Sequence, residues 1–260
     1  MSQERPHSRS AGRGEEVVPG RLGKDRFGYS MPIDGSYYQS PPFYYRDARS
    51  LSVLFETDTD AAADLLPEGL DLPLPAVATM FIGHYPFSTF GPYHEAILGI
   101  SCLWQGQPAL YMPQLATTTT PPLAAGREIW GYPKKIAHID LLEQDEMLVG
   151  ILERPKGTRL VTAMMRRERP TRQVPGIRVS ISLRLIPNPE EGKPPSLAQL
   201  ILTEMKEGVL HEAWEGPGYL SFDARSELDP WHRLPVRRVL RAYYVRADST
   251  LPGGRVIKEY

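Results

Sequence analysis

Gly126-Arg127-Glu128-Ile129-Trp130-Gly131-Tyr132-Pro133-Lys134-Lys135 is the most informative stretch of this 260-residue chain. Two adjacent lysines follow a proline and lie among the apolar and aromatic neighbours Trp130, Tyr132 and Ile136. An amine must be uncharged to attack a carbonyl, and an unperturbed lysine, with a pKa of ~10.4, is almost wholly protonated near neutral pH. Burial can lower that value by as much as ~3–5 pH units. A second ammonium ~7 Å away adds about 2 kcal/mol of repulsion at an effective dielectric of ~20. If the pair lies on a strand, its side chains point to opposite faces, so burial dominates and direct repulsion is weak. Taken alone, the pair also reads as the solvated start of a surface strand, and its surroundings must decide.

Outward from this stretch the chain is strand-like. Ile136 to Leu142 and Met147 to Leu152 form a hairpin turning through Glu143-Gln144-Asp145-Glu146. Leu160 to Arg167 follows, then Ile177 to Ile186, where Val179, Ile181, Leu183 and Leu185 alternate on one side. Leu197 to Met205, His211 to Tyr219 and Val239 to Arg246 complete the C-terminal half. On the N-terminal side, Leu51 to Phe55, Ala76 to Tyr85, Glu95 to Trp104 and Pro108 to Met112 read as strands. A short helix is expected from Asp60 to Leu66, capped by Thr57, Asp58 or Thr59 and ended by Pro67-Glu68-Gly69. Pro121 and Pro122 open a second one carrying Ala124, Ala125, Arg127 and Glu128. With 26 prolines, many short elements are expected. The fold class is therefore α+β, an antiparallel β-rich, barrel-like domain with a few peripheral helices. Residues 1–27, polar and rich in Gly and Arg, read as a disordered tail, and 28–260 as one domain.

Composition narrows the partners. Lys and Arg total 30 against 31 for Asp and Glu, so no bulk charge draws the chain to nucleic acid or an anionic membrane. The cluster Arg166, Arg167, Arg169 and Arg172 reads as a solvated face or a subunit contact. No apolar run reaches the ~20 residues a bilayer span needs, and the N-terminus lacks the apolar core of a secretory signal. Cys102, the single cysteine, sits in an apolar run and reads as a buried structural thiol. One cysteine forms no intrachain disulfide, in keeping with a cytoplasmic location. His84, His94, His138, His211 and His232 lack metal-site spacing, and no glycine-rich phosphate loop is present, so no metal and no cofactor is expected.

The stretch around the lysines resembles the signature of the acetoacetate decarboxylase family, which runs Gly-Arg-Glu, a few residues, Phe or Tyr, then Pro-Lys-Lys. Further matches follow in order from about Tyr45. They include Thr57-Asp58-Thr59-Asp60-Ala61 with Leu66-Pro67-Glu68, Tyr93-His94-Glu95, Ile186-Pro187-Asn188, and His211-Glu212-Ala213-Trp214-Glu215-Gly216-Pro217. Leu234-Pro235-Val236 and Leu251-Pro252 to Val256 close the series. The resemblance implies a Schiff-base lysine at Lys134, a neighbour at Lys135 that helps depress its pKa, and a site-facing carboxylate at Glu95. It also implies a barrel-like α+β fold, assembly into homo-oligomers and a small keto acid as substrate.

Three positions depart from the decarboxylases. Ala48 stands where they carry an arginine, with Arg46 and Arg49 near enough to reach the same space; Arg49 is the candidate for the substrate carboxylate. A second site glutamate falls at about Thr79 or Met80. Trp130 replaces a small residue and, with Tyr93, is a candidate wall for the substrate. The expected activity is a lyase that decarboxylates a β-keto acid through an iminium and an enamine, the iminium serving as electron sink. The alternatives are a pyruvate aldolase-dehydratase, or a hydratase of an unsaturated 2-oxo acid, using the same lysine, and a non-catalytic barrel for a small apolar ligand.

Overall fold

The computed structural model describes residues 18–174, 178–206 and 208–260. Their strands, in chain order, are β1 (Phe43–Glu56), β2 (Val77–Tyr85), β3 (Phe87–Ser88), β4 (Tyr93–Trp104), β5 (Gln107–Thr117), β6 (Lys134–Ile136), β7 (His138–Gln144) and β8 (Met147–Glu153). There follow β9 (Arg159–Arg166), β10 (Arg169–Pro170), β11 (Val179–Ile186), β12 (Leu197–Glu204), β13 (Leu210–Gly216), β14 (Gly218–Phe222), β15 (Arg238–Leu251) and β16 (Arg255–Glu259). The helices are α1 (Thr59–Leu65) and α2 (Thr120–Ala125).

The large sheet runs β10-β13-β15-β1-β2-β4-β5-β11-β12-β16, with β3 beside β1 and β6 beside β5. It is antiparallel except where β11 and β6 share the outer edge of β5 as parallel neighbours. A second, antiparallel sheet runs β14-β9-β8-β7. The fold is thus the expected β-rich α+β class. The large sheet does not close on itself, so it is barrel-like only loosely.

Strand alternation sends each strand's side chains to two different cores. Leu51, Val53 and Phe55 of β1, Met80 and Ile82 of β2, and Leu98 and Ile100 of β4 meet Ile139, Leu148, Leu152 and Val161 of the second sheet. Fully burying each such aliphatic side chain contributes about 1.5–3 kcal/mol. Tyr45 of β1, Tyr93 and Ile97 of β4, Leu115 of β5 and Ile201 of β12 belong to the opposite core, with Phe43, Trp130 and Tyr132. The Lys134 motif packs into that second core.

Local chemistry sets the element ends. Asp58 caps α1, its side chain accepting from the Ala61 N–H at 3.0 Å, and the helix stops before Pro67. Pro121 and Pro122 occupy the first turn of α2, where a missing N–H costs nothing. The expected strand His211 to Tyr219 is in fact two. Pro217 cannot donate to a ladder, and the chain passes there from β13 in the large sheet to β14 in the small one. Ile177 lies outside the described residues, as do residues 1–17 of the expected tail; Lys24–Arg26 forms a single 3-10 turn. Among the surface arginines, Arg166 pairs with Glu168, Arg167 with Glu143 and Arg169 with Glu215. Cys102 is buried, and burial pushes its thiol up to about 11. Among the described residues, no helix is long and apolar enough to cross a membrane.

Candidate active site

Each residue of the motif has a structural task that ends at Lys134. After α2 the helix widens into a π-turn over Gly126–Trp130 and stops at Gly131, whose φ of +76° favours glycine. A Cβ there would lie 2.2 Å from the Arg184 Cα. Ser182 donates to the Trp130 carbonyl at 2.6 Å, and the Tyr132 N–H to the Gly126 carbonyl at 2.9 Å. The chain then enters β6, where Lys134 sits opposite Leu115 and Lys135 opposite Ala116. Leu115 faces the second core and Ala116 the first, so the two lysines diverge. The exposed Arg127 holds the Lys134 carbonyl at 3.3 Å, and Glu128 accepts from the Tyr38 hydroxyl.

Lys134 is only 5% exposed. Its Nζ lies 2.6 Å from Oε1 of Glu95, which is itself buried on β4. Among the described residues Oε1 has no other polar partner, while Oε2 accepts from the Tyr85 hydroxyl at 3.2 Å. The amine stands 5.9 Å from the Tyr93 ring centre and 5.7 Å from that of Tyr132. The Tyr93 hydroxyl donates to Tyr45 at 3.2 Å, and the rings of Tyr45 and Tyr85 are 4.9 Å apart. Burial, reinforced by the Glu95 charge, raises the phenols of Tyr45, Tyr85 and Tyr93 well above their ordinary value. Burial also pushes Tyr132 up to about 12, against the lowering effect of Thr203 and Ser180 beside it. All four phenols are therefore neutral donors near pH 7. A buried amine touching a carboxylate that can take and return one proton, walled by neutral donors, is equipped for carbonyl addition.

The structure brings Lys134, Glu95 and Tyr93 together. It places the other three sequence candidates elsewhere. Lys135 Nζ contacts Asp229 at 3.1 Å on the far face of β6, and donates to the Leu228 carbonyl. Arg154 reaches the other oxygen of the buried Asp229 at 2.8 Å. The charge of Lys135 is thus answered by Asp229 and is not aimed at Lys134. Arg49 shares the β1 face of Leu51 and Val53, where it meets Asp47 at 3.2 Å and Glu143 at 3.9 Å. The chain bulges between Tyr45 and Ala48, at Asp47 with φ +53°, so both Tyr45 and Ala48 pack toward the Lys134 side. Trp130 is fully buried behind Tyr132, stacked at 5.5 Å, with its Nε1 donating to the Pro252 carbonyl at 3.1 Å. It backs the ring that faces the amine.

The family model for acetoacetate decarboxylase matches residues 30–260. The chain belongs to the acetoacetate decarboxylase family. It is 30% identical over 237 residues to acetoacetate decarboxylase 2 of Mesorhizobium japonicum, covering 89% of each chain. The crystal structure of acetoacetate decarboxylase from Legionella pneumophila superposes with a TM-score of 0.82 at 27% identity, over 94% of this chain and 99% of that one. The enduracididine biosynthesis enzyme MppR, complexed with the condensation product of pyruvate and imidazole 4-carboxaldehyde, shares the fold at TM-score 0.76 and 23% identity, over 93% of this chain and 100% of that one. Membership places the chain among enzymes.

Sequence reasoning did not select Tyr45, Tyr85 or Gly126. Tyr85 was within reach of it, because the β2–β4 hairpin pairs Tyr85 with Tyr93 in register. Tyr45 comes from β1, and only the sheet order brings it beside them. Gly126 is legible only from the volume of the lysine beside it.

Proposed function

We propose that the protein is a Schiff-base lyase that decarboxylates a β-keto acid, with Lys134 as the amine and Glu95 as its proton partner. The observation that supports this most is the buried 2.6 Å contact between Lys134 Nζ and Glu95 Oε1. Transfer of one proton across that contact leaves a neutral amine and a carboxylic acid. The amine lone pair adds to the ketone carbon, and the oxygen takes the amine's proton to give a carbinolamine. Glu95 then protonates the departing hydroxyl, water leaves, and an iminium faces a carboxylate of opposite charge. The carbon–carbon bond to the carboxylate breaks, carbon dioxide departs, and the electron pair moves into the iminium as an enamine. Protonation at carbon and hydrolysis release the ketone and regenerate Lys134. The iminium is the electron sink, so the scheme needs no organic cofactor and no metal. The substrate is a small keto acid, and the setting is the cytoplasm, with copies of the chain assembled as homo-oligomers.

Borohydride trapping tests the reading. With acetoacetate or acetone, wild type should gain one reduced adduct, mapped by mass spectrometry to Lys134, and Lys134→Ala should gain none. A wild-type protein that forms no adduct would be a binding barrel. An adduct without carbon dioxide release from any β-keto acid would point instead to aldol, dehydration or hydration chemistry on the same lysine.

A further inference from the structure

A β-keto acid held by Lys134 brings a carboxylate into a chamber that already contains Glu95. Something must donate to that carboxylate, since an unpaired buried anion is costly. The arginines nearest the site in sequence are engaged elsewhere. Arg46 donates to the Tyr45 carbonyl at 2.8 Å, Arg49 to Asp47, and Arg127 to the Lys134 carbonyl. The phenols remain, and in the cluster of Tyr45, Tyr85 and Tyr93 the protons can be followed one by one. Tyr85 gives its proton to Glu95. Tyr93 gives its proton to Tyr45. Tyr132 stands outside that chain, stacked on Trp130 at 5.5 Å, with Thr203 and Ser180 acting on its phenol as donors. Tyr45 accepts from Tyr93, and among the described residues its own proton goes to no acceptor, although the side chain is buried in the same cluster.

We infer that the Tyr45 hydroxyl is the specificity-determining donor for the substrate carboxylate, with Tyr93 behind it as a positioning residue. A hydroxyl that already accepts a hydrogen bond is polarised and becomes a better donor, and a charged acceptor strengthens the bond further. Neutral donors suit decarboxylation. They orient the carboxylate without the full counter-charge of a guanidinium, which would stabilise the anion that must be lost. The substrate class that follows is a 3-oxo acid short enough for its carboxylate to reach Tyr45 while its ketone sits at Lys134.

The inference rests on the Schiff-base reading, and one pair of probes separates the two. Acetoacetate and acetone present the same ketone with and without the carboxylate. For Tyr45→Phe, which keeps the ring, KM for acetoacetate should rise at least about ten-fold, the loss expected for a hydrogen bond to a charged group. Borohydride trapping of acetone on Lys134 should fall by a clearly smaller factor. Tyr93→Phe should raise the same KM by a smaller factor than Tyr45→Phe does. Equal losses with both probes, or no loss with either, would overturn the assignment of Tyr45 while leaving the lysine chemistry standing. Failure of the wild type to trap either ketone would remove the Schiff-base reading, and this one with it.

Discussion

Replacing Gly126 by alanine separates the stability of this protein from its chemistry. Gly126 is buried with φ −58° and ψ −46°, a helical conformation that alanine adopts without strain. By that measure the substitution is neutral or stabilises by up to ~1 kcal/mol, through a less flexible unfolded chain. The added Cβ would nevertheless lie 2.8 Å from both Cδ and Cε of Lys134, and 3.3 Å from Nζ. Carbon atoms at rest sit ~3.5–4.0 Å apart, so the lysine stem must retreat by about 1 Å. The stem is flexible and can move; the amine cannot do so and keep its 2.6 Å contact with Glu95. Misplacement on that scale costs roughly 100-fold in rate. The assay pairs a thermal melt with the rate of borohydride trapping of acetone on Lys134. The expected result is an unchanged or slightly higher Tm beside a trapping rate reduced about 100-fold. A variant that melts and traps like wild type would show that the amine does not need the position drawn for it, and the packing argument would fail.

Two further predictions concern the far side of the site. Lys135→Ala should cost about 1 kcal/mol, because Arg154 still holds Asp229; removing Arg154 as well should leave a buried carboxylate unpaired at roughly 3–5 kcal/mol. A double-mutant cycle in urea checks this, and additive losses would refute it. His84 and His94 stack at 4.4 Å on adjacent strands, and burial lowers both below the ordinary value of 6.5. Arg49 adds to the lowering at His84, and His84 and His138 add to it at His94, while Glu143, Asp47 and Asp140 oppose it. Since the unfolded chain then takes up protons first, stability is full above pH 6.5 and is lost as pH falls from there through the lowered folded values. The carboxylates Asp47, Asp58, Glu153, Glu215 and Asp248 are lowered from 3.8 or 4.5 and so titrate below this window. Tm measured from pH 7.5 to 5 should fall, and His84→Asn should flatten the slope; parallel curves would sink the assignment.

Much of the architecture was legible from local chemistry. Periodicity found β1, β2, β4, β7, β8, β9, β11 and β12, because a strand with one buried face writes its pairing into every second residue. Pro121 marked one helix start and the trio Thr57, Asp58 and Thr59 the other, the structure choosing Asp58 as the cap. The strand rule sends the two motif lysines to opposite faces if they lie on a strand, and β6 supplies that strand. What local pattern did not carry was the company each side chain keeps. Arg49 and Tyr45 lie four residues apart, yet a one-residue bulge at Asp47 sends Tyr45 to the Lys134 side and leaves Arg49 facing the second sheet. The break at Pro217 was likewise settled by which sheet had room for the next strand.

Through the resemblance of its motifs to the family's, the sequence alone determined which lysine to examine and which carboxylate, Glu95, to set against it. Only the tertiary structure decided that Lys135 answers to Asp229, that Trp130 stands behind Tyr132, and that Tyr93 faces the amine with Tyr45 of β1 and Tyr85 of β2 packed against it. The reason is physical. A residue's identity and strand phase are local properties, whereas the neighbours that charge, shield or donate to it come from strands tens of residues away. Those strands are brought together by sheet order, which no short stretch of chain encodes.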